Sequence, residues 1–463
     1  MKAVILAAGE GKRMRPISDS IAKEMILIFG KPFMHYQLER MKEAGLSEVI
    51  LVISPKKQRI QKELGNSFQG LKIKYAIQEQ QTGTAEAIRQ CKEYLSGEDF
   101  FLVQYGDSLT EINLVKELVT AFNSNQDTTQ SFLAIRTTTD PSRSGIVKFD
   151  ENGKIIGIIE KPTPEAAPSN YAVLGTYIMS TKFFDVVENE IFEYEKEQFP
   201  PQYLLGAGYK ADSYIFDGQR VDLGTPADIE KAKRLIAKTE VKAIIFDADK
   251  TLYSPDTKQA YDAQFTYLEK KLNIQKSNLL AAYKNKIDSI ILSESRDLRS
   301  RSREFGLSET LKSIGTTPNQ NIISASIEIF WQNILTQIKF SKETSQLLGN
   351  LKKNYLLAVF SDEYKINLHA KLSKLLTTPK DYFQFILSCE DAGELKPSDS
   401  YFQAILKKSG FEPKNILIVG DSWHRDLELA KKLGFKTVLL SNNTDGEPDF
   451  CINTLEQISD ILN

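Results

Sequence analysis

Leu6-Ala7-Ala8-Gly9-Glu10-Gly11-Lys12-Arg13-Met14-Arg15-Pro16 turns abruptly from apolar residues to glycine and charge. Residues 1–8, apolar apart from Lys2, read as a buried strand, and the stretch after them as the loop of a strand-loop-helix unit. Glycines there let backbone N–H groups come close to phosphate oxygens. Arg13 and, further on, Lys23 can neutralise the charge that such groups bring. Ala8, Gly9 and Gly11 are therefore candidate nucleotide-binding positions. A purely structural turn is the alternative. A P-loop is excluded by the missing Gly-Lys-Ser/Thr ending. A secretory signal would lead to a small-residue cleavage site, which this run does not.

Outward from that turn, short apolar runs alternate with amphipathic stretches. Residues 4–6, 49–53 and 100–103 read as strands in the first half, and 243–246, 356–360, 416–419 and 437–440 in the second. Near-continuous apolar runs predict parallel strands covered on both faces. Helical stretches such as 33–44 and 426–433 separate them. The predicted class is α/β, with one open α/β sheet in each half. Residues 228–237 read as a closing helix and 243 opens a new strand. The predicted domains are 1–238 and 239–463, joined by a link, 238–242, without Gly or Pro. From 253 to about 340 the pattern turns wholly helical, with amphipathic runs at 261–272, 279–292 and 322–338.

The 463 residues exceed one ordinary core. Basic and acidic residues balance, 59 against 61 overall, 30 against 32 up to residue 238 and 29 against 29 beyond it. Neither half is basic enough for nucleic acid to be the main partner. No apolar run approaches the roughly 18 residues that span a bilayer, so no membrane role is expected. Cys91, Cys389 and Cys451 form neither a metal-ligand nor a disulfide pattern. A reducing, cytoplasmic compartment is the expectation. Oligomeric state is left open, a homo-oligomer included.

Further motifs in the first half add chemistry to the opening loop. Gln78-Glu79-Gln80-Gln81-Thr82-Gly83-Thr84-Ala85 follows a strand-like 73–77. The Gln78 amide can pair with a pyrimidine edge, and Gly83, next to Thr84, lets a base lie against backbone. Tyr105-Gly106-Asp107 and Val221-Asp222-Leu223-Gly224-Thr225-Pro226 offer two carboxylates on separate loops. That suits a divalent ion bridging phosphates, although each Asp alone also reads as a turn residue. With Glu160-Lys161-Pro162 and Ser169-Asn170-Tyr171 these motifs stand in the order of the sugar-1-phosphate nucleotidyltransferases, a Rossmann-like family that residues 1–238 resemble. The run 169–175 with Tyr177 resembles the glucose-1-phosphate thymidylyltransferase branch. Gln78 and Gly83-Thr84 also resemble the uridylyltransferases of amino sugars. The resemblance implies attack of a sugar 1-phosphate on the α-phosphorus of an NTP, dTTP or UTP favoured, with pyrophosphate leaving. It implies Mg²⁺ on Asp107 and Asp222, the triphosphate on Arg13 and Lys23, the sugar phosphate on Lys161, and sugar hydroxyls on Gly145, Glu160 and Asn170. Ala22 stands where the family usually has Pro, which puts the placing of Lys23 in doubt.

In the second half, Phe246-Asp247-Ala248-Asp249-Lys250-Thr251-Leu252 ends a strand. The first carboxylate can attack phosphorus; the second can protonate the leaving oxygen and then activate water. Two such charges side by side call for a cation, again Mg²⁺. Val359-Phe360-Ser361-Asp362 offers a hydroxyl, Leu395-Lys396-Pro397 a lysine, and Gly420-Asp421-Ser422-Trp423-His424-Arg425-Asp426 further carboxylates. Together these resemble the haloacid dehalogenase superfamily over about 241–463, also Rossmann-like, with 253–340 as its helical cap. The resemblance implies Asp247 as nucleophile, Asp249 as acid and base, phosphoryl contacts from Thr251, Ser361 and Lys396, and Mg²⁺ on Asp247, Asp249 and Asp421, with Asp426 in support. Asp249 argues for a phosphatase over a dehalogenase.

The cap arginines Arg296, Arg299, Arg301 and Arg303 can grip a second anionic group on a substrate, but read better as a solvated face. Trp331 reads as core, and His35, His369 and His424 as packing or surface. The whole reads as a bifunctional enzyme of nucleotide-sugar biosynthesis: a nucleotidyltransferase and a phosphatase acting on a phosphorylated sugar or similar small metabolite. The alternatives are an idle half kept for binding or regulation, and a phosphatase with an unrelated clearing role.

Overall fold

In the strand Glu48–Ile53 five successive residues are buried. Successive side chains of a strand face opposite ways, so such a run needs cover on both sides. Val49, Leu51 and Ile53 pack with Met34, Leu38 and Met41, and Ile50 and Val52 pack with Ala85, Ile88 and Tyr177. The computed structural model describes residues 1–125, 129–191, 199–292, 298–339, 341–376, 378–442 and 446–463. They form two compact units, Met1–Thr239 and Glu240–Asn463.

The sheet of the first unit runs Gly145–Phe149, Ile155–Glu160, Ala211–Ile215, Ser131–Thr137, Tyr171–Ser180, Phe100–Tyr105, Lys2–Leu6, Glu48–Ile53, Leu71–Ile77 and Ser67–Phe68 among the described residues. The four strands from Phe100–Tyr105 to Leu71–Ile77 are parallel, as expected. The rest of the sheet is mixed, with Ala211–Ile215 parallel to Ser131–Thr137. Tyr171–Ser180 runs antiparallel to both its neighbours, and Gly145–Phe149 with Ile155–Glu160 is an antiparallel pair. Lys2–Leu6 sits between the strand that follows it and one from later in the chain. Its C-terminal end is thus a topological switch point, where open α/β sheets leave a crevice.

The second unit has six parallel strands among its described residues, in the order Phe385–Leu387, Leu356–Phe360, Ala243–Asp247, Ile416–Gly420, Lys436–Leu440 and Phe450–Ile452. Ala243–Asp247, the first in sequence, is central and fully buried. Between it and the helix Lys342–Leu351, which leads into Leu356–Phe360, come the helices Thr257–Leu272, Lys276–Leu292, Arg303–Ser313 and Gln320–Gln337. They share their own core of Phe265, Leu268, Leu279, Leu307, Leu311 and Ile323. Three of them overlap the predicted runs. Arg303–Ser313 was not foreseen, because Gly306 and Thr310 occupy two of its buried positions and blur its apolar stripe. No helix among the described residues is long and apolar enough to cross a membrane.

Candidate active sites

The crevice of the first unit holds about 670 Å³. Ala8, Gly9, Gly11, Arg13, Lys23, Gln78, Gly83, Thr84 and Asp107 all line it. They meet because adjacent parallel strands end side by side: the Gly106 N–H donates to Leu6 O at 2.8 Å, and a Cβ on Gly106 would meet that oxygen at 2.8 Å. Gly11 takes φ 68°, the left-handed region that glycine tolerates. The Gln81 amide donates to Ala8 O at 2.7 Å and so ties the two loops, while that of Gln78 donates to Gly83 O at 2.8 Å and braces its own loop. Behind them Lys57 Nζ donates to Ala7 O at 2.8 Å and to both oxygens of Glu24. Burial pushes Glu24 up against the opposing pull of Lys57 and Lys23. Arg13 lies over Gly224, whose added Cβ would meet Arg13 Nη2 at 3.2 Å, and Lys23 pairs with Asp107.

In the second unit three neighbouring strand ends supply Asp247, Ser361 and Asp421, which line a cleft of about 340 Å³. Lys396, beneath it, donates to Asp247 Oδ1 at 2.5 Å and Asp426 Oδ1 at 2.7 Å. The Thr251 hydroxyl donates to Asp247 Oδ2 at 3.2 Å. One carboxylate oxygen each of Asp247, Asp421 and Asp426 lies within 4.8 Å of the others. Burial, and then the neighbouring Asp426 and Asp249, raise Asp247 to about 7 against the pull of Lys396. Burial works against protonated Lys396, yet Asp247 and Asp426 hold it above the ordinary lysine range. Asp247 is thus raised chiefly by its burial, whereas Lys396 is raised by the carboxylates around it in spite of its burial. Gly420 is required here, since a Cβ would meet Asp426 Cβ at 2.6 Å.

Residues 2–239 match the family described as nucleotidyl transferase. The chain belongs to the nucleotidyl transferase family. Residues 244–440 match the haloacid dehalogenase-like hydrolases, so the chain is a fusion of the two. It is similar to the low-salt glycan biosynthesis nucleotidyltransferase Agl11 of Haloferax volcanii, at 33% identity over 51% of this chain and 66% of the relative. It is also similar to the UTP–glucose-1-phosphate uridylyltransferase AglF of the same organism, at 30% over 52% and 99%. A third relative is the D-glycero-alpha-D-manno-heptose 1-phosphate guanylyltransferase of Campylobacter jejuni, at 32% over 49% and 96%. The chain spans about two thirds of the length of Agl11.

Within the nucleotidyl transferase unit, five expected residues do not line the crevice. The strand Arg220–Asp222 pairs with Ser108–Thr110, and its alternation puts Arg220 and Asp222 on one face. Asp222 therefore accepts from Arg220 Nε at 2.9 Å. Gly145 and Glu160 face each other across a strand pair, and Lys161 follows with its N–H on Ser144 O at 3.1 Å. Asn170 lines a separate depression with Arg136 and Arg143. Gln81, Glu24 and Lys57 were missed; Gln81 was already inside a quoted motif, and Glu24 beside Lys23 was the available signal for the third.

In the hydrolase unit the correction concerns Asp249. Its carboxylate is held by Lys371 at 2.8 and 3.0 Å, away from the cluster, and Asp426 takes the expected place. Lys371, which also donates to Glu363 at 2.9 Å, had no sequence signal. Trp331 is not core: it lines the cleft. So does Arg303, on aromatic rings rather than on a solvated face. Arg299 lies 5.7 Å from the Phe305 ring, whereas Arg296 and the Arg301 side chain fall outside the described residues.

Proposed function

We propose that the first unit transfers a nucleotidyl group from an NTP to a sugar 1-phosphate with release of pyrophosphate, and that the second hydrolyses a phosphorylated sugar or similar small metabolite. For transfer, the observation that carries the reading is the convergence of nine motif residues on one switch-point crevice. Arg13 and Lys23 would neutralise the triphosphate as backbone N–H groups of the glycine loop align it, which is most of what phosphoryl-type transfer needs. Pyrimidine NTPs, dTTP or UTP, are the proposed donors. The similarity to a UTP-using relative supports this, while the similarity to a guanylyltransferase makes GTP the comparison that matters. Mg²⁺ in this unit is proposed on Asp107 and Asp222, all-oxygen donors that are paired with Lys23 and Arg220 just as Asp247 is with Lys396.

In the hydrolase unit the donors also fit Mg²⁺: three carboxylates against one ammonium leave two negative charges, in an all-oxygen set. Asp247, Asp421 and Asp426 would hold it, and bound there it would offset charge on a phosphoryl group. Asp247, steadied by Lys396, attacks phosphorus to form an aspartyl phosphate, and the ester oxygen leaves with a proton from Asp249, a role that requires the Asp249 carboxylate to leave Lys371 and take up a proton first. Asp249 then takes a proton from water, which releases phosphate and restores Asp247. Ser361 and Thr251 would contact the phosphoryl group. Both activities are proposed to be cytoplasmic. A screen of dTTP, UTP, CTP, GTP and ATP against sugar 1-phosphates, read by pyrophosphate release, tests the transfer. No pyrophosphate from any pair would remove that reading.

A further inference from the structure

The cleft of the hydrolase unit reaches from Asp247 to the helical insertion, where Tyr261, Tyr283, Phe330, Trp331 and Arg303 line its far wall. Most of its cations already have carboxylates. Lys371 holds Asp249 and Glu363, Arg425 donates to Asp362 at 2.7 Å, and Lys396 serves Asp247 and Asp426. Lys250 sits at the nucleophile end, beside Asp249. Arg303 is different. Among the described residues no carboxylate lies within ion-pair distance of it. Its guanidinium stacks 3.3 Å from the centre of the Phe330 ring, with Tyr261 at 5.2 Å and Trp331 at 5.5 Å, and Nη1 donates to Tyr261 Oη at 3.1 Å. Aromatic faces fix a guanidinium without using up its charge. The result is a ring-held cation lining the same cleft as the nucleophile, without an ion pair among the described residues, whose charge acts there on Glu363.

We propose that Arg303 binds a second phosphate group on the substrate, one that the reaction leaves in place, so that the preferred substrate class is a sugar bisphosphate. This rests on reading the site as a phosphatase. The chemistry of the chain points the same way. Its other unit is proposed to consume a sugar 1-phosphate, and hydrolysis of the distal ester of a sugar 1,n-bisphosphate supplies one. In that step the distal P–O bond breaks, Asp247 takes the phosphoryl group, the sugar oxygen takes a proton, and water then releases inorganic phosphate. The anomeric phosphate is untouched. The planar fork of Arg303 matches two phosphoryl oxygens. A cleft of about 340 Å³ lies within the range of small-molecule sites.

The test compares the full-length enzyme on glucose 1,6-bisphosphate, glucose 6-phosphate and p-nitrophenyl phosphate, by phosphate release. The wild type is expected to show a higher kcat/KM on the bisphosphate than on the monophosphate. Arg303→Met keeps the aliphatic stem and removes the charge. It should lose about 10- to 100-fold on the bisphosphate, the range for a hydrogen bond to a charged group, and leave the other two substrates unchanged. Arg303→Lys should fall between, since an ammonium lacks the fork. A wild type without preference for the bisphosphate, or an Arg303→Met loss equal on all three substrates, overturns the proposal while p-nitrophenyl phosphate turnover leaves the phosphatase standing. No turnover of any ester by the wild type removes the underlying reading and the proposal with it.

Discussion

Replacing Lys396 by Met removes the ammonium that Asp247 and Asp426 share and keeps most of the side-chain volume. The lysine nitrogen lies 2.5 Å from one carboxylate and 2.7 Å from the other, with all three side chains almost wholly out of water. An exposed pair contributes about 1 kcal/mol or less. Breaking a buried one from one side costs about 3–5 kcal/mol, because the remaining charge is desolvated and uncompensated. Two carboxylates are stranded here, so the upper part of that range is expected. At about 2–4 °C per kcal/mol for a unit of this size, Tm should fall by roughly 10–20 °C. Both tryptophans, Trp331 and Trp423, belong to the second unit. Their fluorescence therefore follows that unit alone, which matters because a chain of two units does not unfold in one step. The loss should also depend on pH. Asp247 stands at about 7 against an ordinary 3.8 even with Lys396 beside it, and the lysine lowers it. A carboxyl raised in the folded state adds stability below its unfolded pKa and loses it as pH rises through the folded value. Without the lysine Asp247 is raised further, so the variant's deficit should grow as pH rises above about 7 and shrink on acidification to that value. Melting in EDTA over this range is the assay. Equal Tm values for variant and wild type at alkaline pH, or a deficit that grows in acid, would refute the reasoning.

Asp107→Asn should cut nucleotidyl transfer on the order of 10²-fold, since Lys23 loses its partner in the crevice. Asp222→Asn should cut it less, because its carboxylate is already on Arg220. Phosphatase activity should survive both changes, and joint loss would contradict two separate sites. Initial rates should rank dTTP or UTP above GTP; the reverse order rejects the pyrimidine pocket. Asp247→Asn should abolish phosphate release without affecting transfer, whereas Asp249→Asn should recover its first step with an aryl phosphate, whose leaving group needs no proton donor. Mass spectrometry of the quenched Asp249→Asn protein should then find a phosphoryl group on Asp247, and identical behaviour of the two variants toward aryl and alkyl esters argues against this division of labour.

What could be read in advance was what local chemistry dictates. The glycine loop at 9–13 and the aspartates at strand ends announce themselves, because φ 68° selects for glycine and a carboxylate that closes an apolar run stands out against it. Pairings between distant segments left no such trace. Nothing near Asp222 says that its strand lies against Ser108–Thr110 and turns it to Arg220, and nothing near Asp249 announces Lys371. The period of a helix shows that Trp331 and Phe330 have an apolar surrounding but not whether that surrounding is core or cleft. The mixed half of the first sheet stayed hidden for the same reason. Tyr171–Ser180 is buried almost throughout, like a parallel strand, and its direction is set by neighbours far away in sequence.

The central strand of the second unit has a consequence for assembly. Ala243 must find Leu356 as its partner, and the intervening chain is nearly all helical insertion. Closing a long loose loop costs entropy before any long-range contact forms. The insertion has contacts of its own, among Phe265, Leu268, Leu279, Leu307 and Ile323, and these are local. Helices that collapse together first bring the ends of Ala243–Asp247 and Leu356–Phe360 nearer, so the sheet then closes a shorter effective loop. The helices that wall the cleft would in that way act earlier as a folding brace for the strand that carries Asp247.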